Sequence, residues 1–102
     1  MKVISGKEFE STVAEGVTLV DFYATWCGPC RVMAGILEDV EDGLEGKGKI
    51  VKVDVDQDGE LAKQFGIMSI PTLLIFKDGQ LKEKHIGIWQ YEDCIETIKS
   101  YL

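Results

Sequence analysis

Two cysteines separated by two residues stand where one hydrophobic pattern gives way to another, and that junction restricts the fold of this 102-residue chain more than any other feature. Before Trp26-Cys27-Gly28-Pro29-Cys30 runs Val17-Thr18-Leu19-Val20-Asp21-Phe22-Tyr23, an apolar, β-favouring stretch of strand length. After it, Val32, Met33, Ile36, Leu37, Val40 and Leu44 recur at helical spacing, one apolar stripe on a helix of about three to four turns. The motif therefore belongs at a strand-to-helix turn, with Cys27 just ahead of the helix and Cys30 in its first turn. There the unpaired backbone N–H groups and the positive end of the helix favour a thiolate on Cys27. The thiolate is the nucleophile, so Cys27 is expected to attack and Cys30, the less exposed of the two, to resolve.

A zinc-binding role competes poorly with redox chemistry. Zinc usually takes four ligands, and beyond this pair the chain offers only Cys94 and His85, distant and without paired spacing. The run Asp54-Val55-Asp56-Gln57-Asp58-Gly59 imitates the first half of a calcium loop, but Phe65 stands where a bidentate Glu is required. A solvated strand-to-helix turn capped by Asp58 accounts for it better. Cys94, on the apolar stripe of the last helix, reads as a small buried hydrophobe. His85, alone on an edge strand, is given no role.

The rest of the chain supplies further strands and helices in alternation, with no repeat, low-complexity segment or linker. A short strand at Lys2 to Ile4 leads to a helix opened by Ser5 with Glu8 three residues on, a capping box, and stopped near Gly16. The strand Val17 to Tyr23 and the motif helix end in the glycine-rich segment Gly43 to Gly48. Then come a strand at Lys49 to Val55, a short helix at Gly59 to Gln64, a strand at Thr72 to Phe76, and an Asp78-Gly79 turn into a strand at Leu81 to Ile86. The last helix, Tyr91 to Tyr101, is expected to bury Cys94, Ile95, Ile98 and Leu102. The order βαβαβαββα predicts an α/β fold with a mixed five-stranded sheet, helical crossovers giving parallel neighbours and the terminal hairpin an antiparallel pair. Four helices must cover both faces, because Val17 to Tyr23 and Thr72 to Phe76 are apolar on both sides.

A chain of this length is expected to form one domain over residues 1–102, burying roughly two-thirds of its unfolded surface without structural disulfides or metal. Its formal net charge of −7 argues against nucleic acid and anionic membranes, which call for clustered Lys and Arg. The N-terminus lacks an apolar core of signal-peptide length, and no stretch approaches the roughly 20 apolar residues of a membrane span. A cytoplasmic address is expected, where a dithiol is kept mostly reduced.

The segment Val20-Asp21-Phe22-Tyr23-Ala24-Thr25-Trp26-Cys27-Gly28-Pro29-Cys30 resembles the active-site block of the thioredoxin family. Gly66-Ile67-Met68-Ser69-Ile70-Pro71-Thr72 resembles that family's second signature, and Phe76-Lys77-Asp78-Gly79 and Gly87 extend the similarity from about Val3 to the end. The resemblance implies a thioredoxin fold and a protein-disulfide reductant that cycles between dithiol and disulfide at Cys27 and Cys30. It implies no bound cofactor, a monomer, and as partners a thioredoxin reductase, NADPH- or ferredoxin-linked. Oxidised substrates such as ribonucleotide reductase, peroxiredoxin and methionine sulfoxide reductase are implied in the same way.

Several residues gain roles from residue chemistry and resemblance together. Asp21 is a carboxylate inside an apolar strand, where an unpaired charge is costly and its pKa rises. It lies close enough to Cys30 after the turn to take that thiol's proton, and the resemblance makes it the family's buried acid/base. Lys52 alternates like a solvent-facing strand lysine, whereas the resemblance makes it the partner that moderates Asp21. Pro71, which cannot occupy the middle of a central ladder, marks a strand edge or bend. The resemblance implies a cis Ile70-Pro71 bond facing the cysteines, with the Ile70 backbone free to pair with an extended substrate. Trp26, Gly28, Pro29, Ile70, Gly87 and Ile88 would form a shallow apolar rim for the incoming protein, Gly28 and Gly87 allowing close backbone approach.

Two positions depart from the family pattern. Gly35 stands where thioredoxins usually carry a kink-forming proline, which weakens the motif helix by roughly 1 kcal/mol relative to alanine. Trp89, bulkier than the usual residue, is expected to narrow or extend the partner surface. Alternative functions are a thiol oxidase or isomerase, favoured by a secreted address and a dipeptide other than Gly-Pro, and a binding subunit that clamps partners through Trp26, Ile70 and Ile88 without electron transfer. A metal or cluster carrier is a third.

Overall fold

The computed structural model describes residues 1–102 and has the element order β1 (Lys2–Val3), α1 (Gly6–Val13), β2 (Val17–Tyr23), α2 (Gly28–Leu44), β3 (Lys49–Asp54), α3 (Gly59–Gln64), β4 (Thr72–Lys77), β5 (Gln80–Ile86) and α4 (Tyr91–Lys99). The five strands form one sheet in the order β1-β3-β2-β4-β5, mixed and five-stranded as the sequence predicts. Strands β1, β3 and β2 run parallel, while β4 is antiparallel to both β2 and β5.

The antiparallel β2–β4 pairing corrects one expectation. The connection through α3 does not return a parallel neighbour, because six helical residues rise only about 9 Å whereas the six-residue β3 spans about 20 Å. The chain therefore never travels back to the start of β3. It turns at Gly66, φ 64°, and enters β4 from the end at which β2 and β3 finish, on the far side of β2.

Strand alternation divides β2 between two cores. Val17 and Leu19 join Met33, Leu37, Val40, Leu44, Ile95 and Ile98 under α2 and α4. Val20 and Phe22 join Phe9, Val13, Leu61 and Phe76 under α1 and α3. Helices thus cover both faces, as a strand apolar on both sides requires. Leu37 is wholly buried, and its truncation to alanine would cost about 2–5 kcal/mol.

The stripe on α2 is narrower than expected: Val32 is exposed and Ile36 only half-buried, leaving Met33, Leu37, Val40 and Leu44 as the buried seam. Leu102 is also exposed: α4 ends at Lys99, and of the residues beyond it Tyr101, not Leu102, packs against the core. The first helix stops at Val13, and Gly16, φ 73°, shapes the turn into β2. At its start the Glu8 carboxylate accepts the Ser5 N–H at 3.0 Å, the reach-back expected of a capping box. The β4–β5 hairpin turns on Asp78 and Gly79, φ 49° and 82°, and the Asp78 carboxylate accepts the Gly16 N–H at 2.8 Å.

Candidate active site

Cys27 is the N-cap of α2, in extended backbone, and Gly28, Pro29 and Cys30 form the first helical turn. Proline fits there because its missing N–H would have no intrahelical partner. The Cys27 sulfur accepts the Cys30 N–H at 3.2 Å and lies 4.0 Å from the Ile70 carbonyl oxygen. Cys27 and Cys30 are joined as a disulfide, their Cα atoms 5.2 Å apart. Exposure does not separate them as expected: Cys27 is 5% and Cys30 4% exposed, because both pack with Ala24 beneath Tyr23, Val55 and Ile70. Position separates them instead. Only Cys27 caps the helix, so its sulfur receives the N–H that would stabilise a thiolate.

Asp21 lies on the face of β2 that carries Val17 and Leu19, the face packed on α2. It is completely buried, and neither carboxylate oxygen has a hydrogen-bond partner. Burial pushes its pKa up to about 7, against a smaller opposing pull from Lys52. A carboxyl group that changes charge near neutrality can both take and return a proton at working pH. Lys52 is half-buried and stands opposite Asp21 in the β2–β3 ladder, its ammonium over the Tyr23 ring.

Pro71 directly precedes β4, and the Ile70-Pro71 bond is cis. The Gly87 N–H donates to the Pro71 carbonyl at 2.8 Å, fastening the segment after β5 to the segment before β4. Ile70 is half-buried, Ile88 is exposed, and Gly87 has φ 90°, a conformation that favours glycine. Trp26 is 67% exposed, and its indole N–H donates to the Asp56 carboxylate at 2.8 Å. A large aromatic left in solvent but held by a hydrogen bond is suited to contact with a partner.

Three neighbours of this rim were not singled out for it in the sequence. Met68 is 94% exposed just ahead of Ile70, Ile86 is exposed just ahead of Gly87, and Asp56 anchors Trp26. Met68 lies inside the second signature, so its place there could have drawn notice. Ile86 enters the sequence reading only as the last residue of its strand.

Trp89 does not narrow or extend the surface. It is buried, its backbone N–H donates to the Met33 sulfur at 3.2 Å, and its ring stacks on His85. His85, given no role from sequence, is thus half of an aromatic pair on the edge strand β5. Asp58 does not cap α3 with its side chain. Its carboxylate accepts the Gly6 N–H at 3.0 Å across the gap to α1, while the Asp54 carboxylate holds the turn through the Asp56 N–H at 2.9 Å. Gly35 is exposed in an uninterrupted α2. Cys94 is fully buried, and burial pushes its thiol up to about 12, as suits a small hydrophobe.

Known proteins match this geometry along nearly the whole chain. The family model described as Thioredoxin matches residues 1–100. A thioredoxin of Staphylococcus aureus is 44% identical over 99 residues, 97% of this chain and 95% of that protein. Among solved structures, chloroplastic thioredoxin z superposes with a TM-score of 0.90 at 31% identity, covering 99% of this chain and 93% of that one. A mutant thioredoxin from Halobacterium salinarum gives a TM-score of 0.88 at 30% identity, covering 98% and 90%.

Proposed function

The chain belongs to the thioredoxin family, and we propose that its protein-disulfide reductase activity is divided among Cys27, Cys30 and Asp21. The Cys27 thiolate attacks one sulfur of a substrate disulfide, forms a mixed disulfide and releases the first substrate thiolate. Cys30 then gives its proton to Asp21 and attacks the Cys27 sulfur. The second substrate thiolate leaves, and the Cys27–Cys30 disulfide retains the oxidation removed from the substrate. Two electrons have passed from protein to substrate. A reductase returns them, so the cycle holds its electrons on sulfur and calls for no bound cofactor or metal.

The observation that carries this division is Asp21, buried with both oxygens unpartnered on the face that supports α2, whose first turn holds Cys30. Lys52 moderates its charge through the ladder position opposite it. Trp26, Gly28, Pro29, Ile70, Pro71, Gly87 and Ile88 form the docking rim. The free backbone of Ile70 is suited to pairing with an extended substrate segment.

Membership of the family implies exchange with a thioredoxin reductase and with oxidised proteins. The finer reading is an NADPH- or ferredoxin-linked reductase, and substrates of the ribonucleotide reductase, peroxiredoxin and methionine sulfoxide reductase kinds. We place the activity in the cytoplasm, in a monomer whose residues 1–102 act as one thioredoxin domain. No helix is long and apolar enough to cross a membrane.

The test of the division is trapping. Cys30→Ser should accumulate a stable mixed disulfide between Cys27 and a substrate protein, seen by mass spectrometry and released by dithiothreitol. Cys27→Ser should form none. Adducts on Cys30 in place of Cys27 would reverse the assignment.

A further inference from the structure

Three contacts converge on Gly87-Ile88-Trp89. The His85 Nε2 atom lies 3.1 Å from the Ile88 carbonyl oxygen. The His85 ring stacks on the Trp89 indole, with centroids 4.5 Å apart and planes 5° from parallel. The Trp89 backbone N–H donates to the Met33 sulfur at 3.2 Å, reaching the helix that begins beside Cys27. Before these contacts, the Gly87 N–H is held by the Pro71 carbonyl at 2.8 Å.

The chemistry of the His85 contact fixes its direction. A carbonyl oxygen only accepts, so Nε2 must carry the proton, as the neutral Nε2–H tautomer or as imidazolium. The opposite tautomer would set a nitrogen lone pair against the oxygen. Gly87, at φ 90°, turns the chain so that a carbonyl three residues after His85 can meet its ring. The stack on Trp89, itself buried, limits rotation of the imidazole and keeps the donor aimed.

We propose that His85 is a positioning residue for protein substrates: its Nε2–H holds the Ile88 carbonyl, the Trp89 stack holds its ring, and Gly87 and Ile88 are thereby presented to the incoming disulfide in one conformation. This rests on the reading of Gly87 and Ile88 as part of the docking rim. A rim already ordered loses less conformational freedom on docking, so the benefit appears as affinity. The sulfur chemistry, set by Cys27, Cys30 and Asp21, is left alone.

The experiment is steady-state reduction of insulin disulfides by His85→Ala, His85→Gln, His85→Phe and Ile88→Asp, with the midpoint potential of each measured alongside. His85→Ala should raise KM about three- to tenfold, with kcat and potential unmoved. His85→Gln restores an N–H donor without the ring and should recover most of the loss, whereas His85→Phe restores only the stack and should not. This pair decides the matter even if His85→Ala folds poorly. Ile88→Asp should also raise KM. An unchanged KM in His85→Ala beside a raised one in Ile88→Asp overturns the role of His85 and leaves the rim standing. An unchanged KM in both overturns the rim reading and this proposal with it. Recovery by His85→Phe but not His85→Gln overturns the hydrogen bond, and a shifted potential in His85→Ala shows action on the sulfurs and overturns the positioning role.

Discussion

Asp21 and Lys52 stand opposite one another in the parallel β2–β3 ladder, yet the Lys52 ammonium lies 4.1 Å from the centroid of the Tyr23 ring and makes no salt bridge with the Asp21 carboxylate. The lysine acts on the buried acid through space. It lowers the Asp21 pKa against the larger upward push of burial without satisfying either oxygen. Lys52→Met removes the opposing charge and should raise the Asp21 pKa above about 7. Titration of the Asp21 carboxyl carbon by NMR checks this, and an unchanged or lowered midpoint would show that Lys52 does not reach it.

Asp21 also makes stability depend on pH. Its carboxyl titrates near 7 in the folded protein against an ordinary value of 3.8. Between those values the unfolded chain releases a proton that the folded chain keeps. Stability from this group is therefore full below about 3.8, falls as pH rises through about 7, and is flat above. Asp21→Asn abolishes the ionisation and should stabilise the oxidised protein at pH 8 by on the order of 4 kcal/mol, with little effect at pH 3.5. Denaturant unfolding at the two pH values measures the difference. The same variant should slow resolution of the mixed disulfide by about a hundredfold, the low end for a lost general base.

The sequence made most of the fold legible because local pattern and tertiary demand agree there. The Val17 to Tyr23 run, the change to helical spacing after Cys30 and the Asp78-Gly79 turn each fix an element by short-range chemistry. The β4 direction was harder, since it depends on the length of α3 rather than on its presence. Within the site, the helix-capping position of Cys27 follows from spacing, and Asp21 shows itself as a charge in an apolar strand. Trp89 was misread because its burial depends on Met33, 56 residues away, and on a stack around a glycine turn. Asp58 was misread for the same kind of reason, its partner Gly6 lying 52 residues earlier.

Gly35 is a test of helix propensity without packing. It is exposed in α2, and a Cβ built there meets nothing within 4 Å. Gly35→Ala should stabilise the protein by about 0.5–1 kcal/mol through reduced backbone entropy in the unfolded chain. Thermal unfolding should show a rise of a few degrees with an unchanged midpoint potential. A loss of stability would mean that the glycine answers a backbone demand absent from this structure.

Trp26 owes its orientation to Asp56. Asp56→Ala removes the acceptor of the indole N–H, and because Asp56 is exposed, stability should change by less than about 1 kcal/mol. The Trp26 indole resonance should shift and its hydrogen exchange quicken, while the KM for insulin rises. An indole resonance that does not move would remove Asp56 from the account.

The central claim is that Cys27 and Cys30 form a reversible couple poised to reduce other proteins. Its most direct test is the midpoint potential, measured by equilibrating the protein against glutathione or dithiothreitol buffers and trapping the free thiols. A value near about −270 mV, the established figure for thioredoxin itself, is the expected result for this family member. A value near about −120 mV would mark an oxidant of protein thiols and contradict the account.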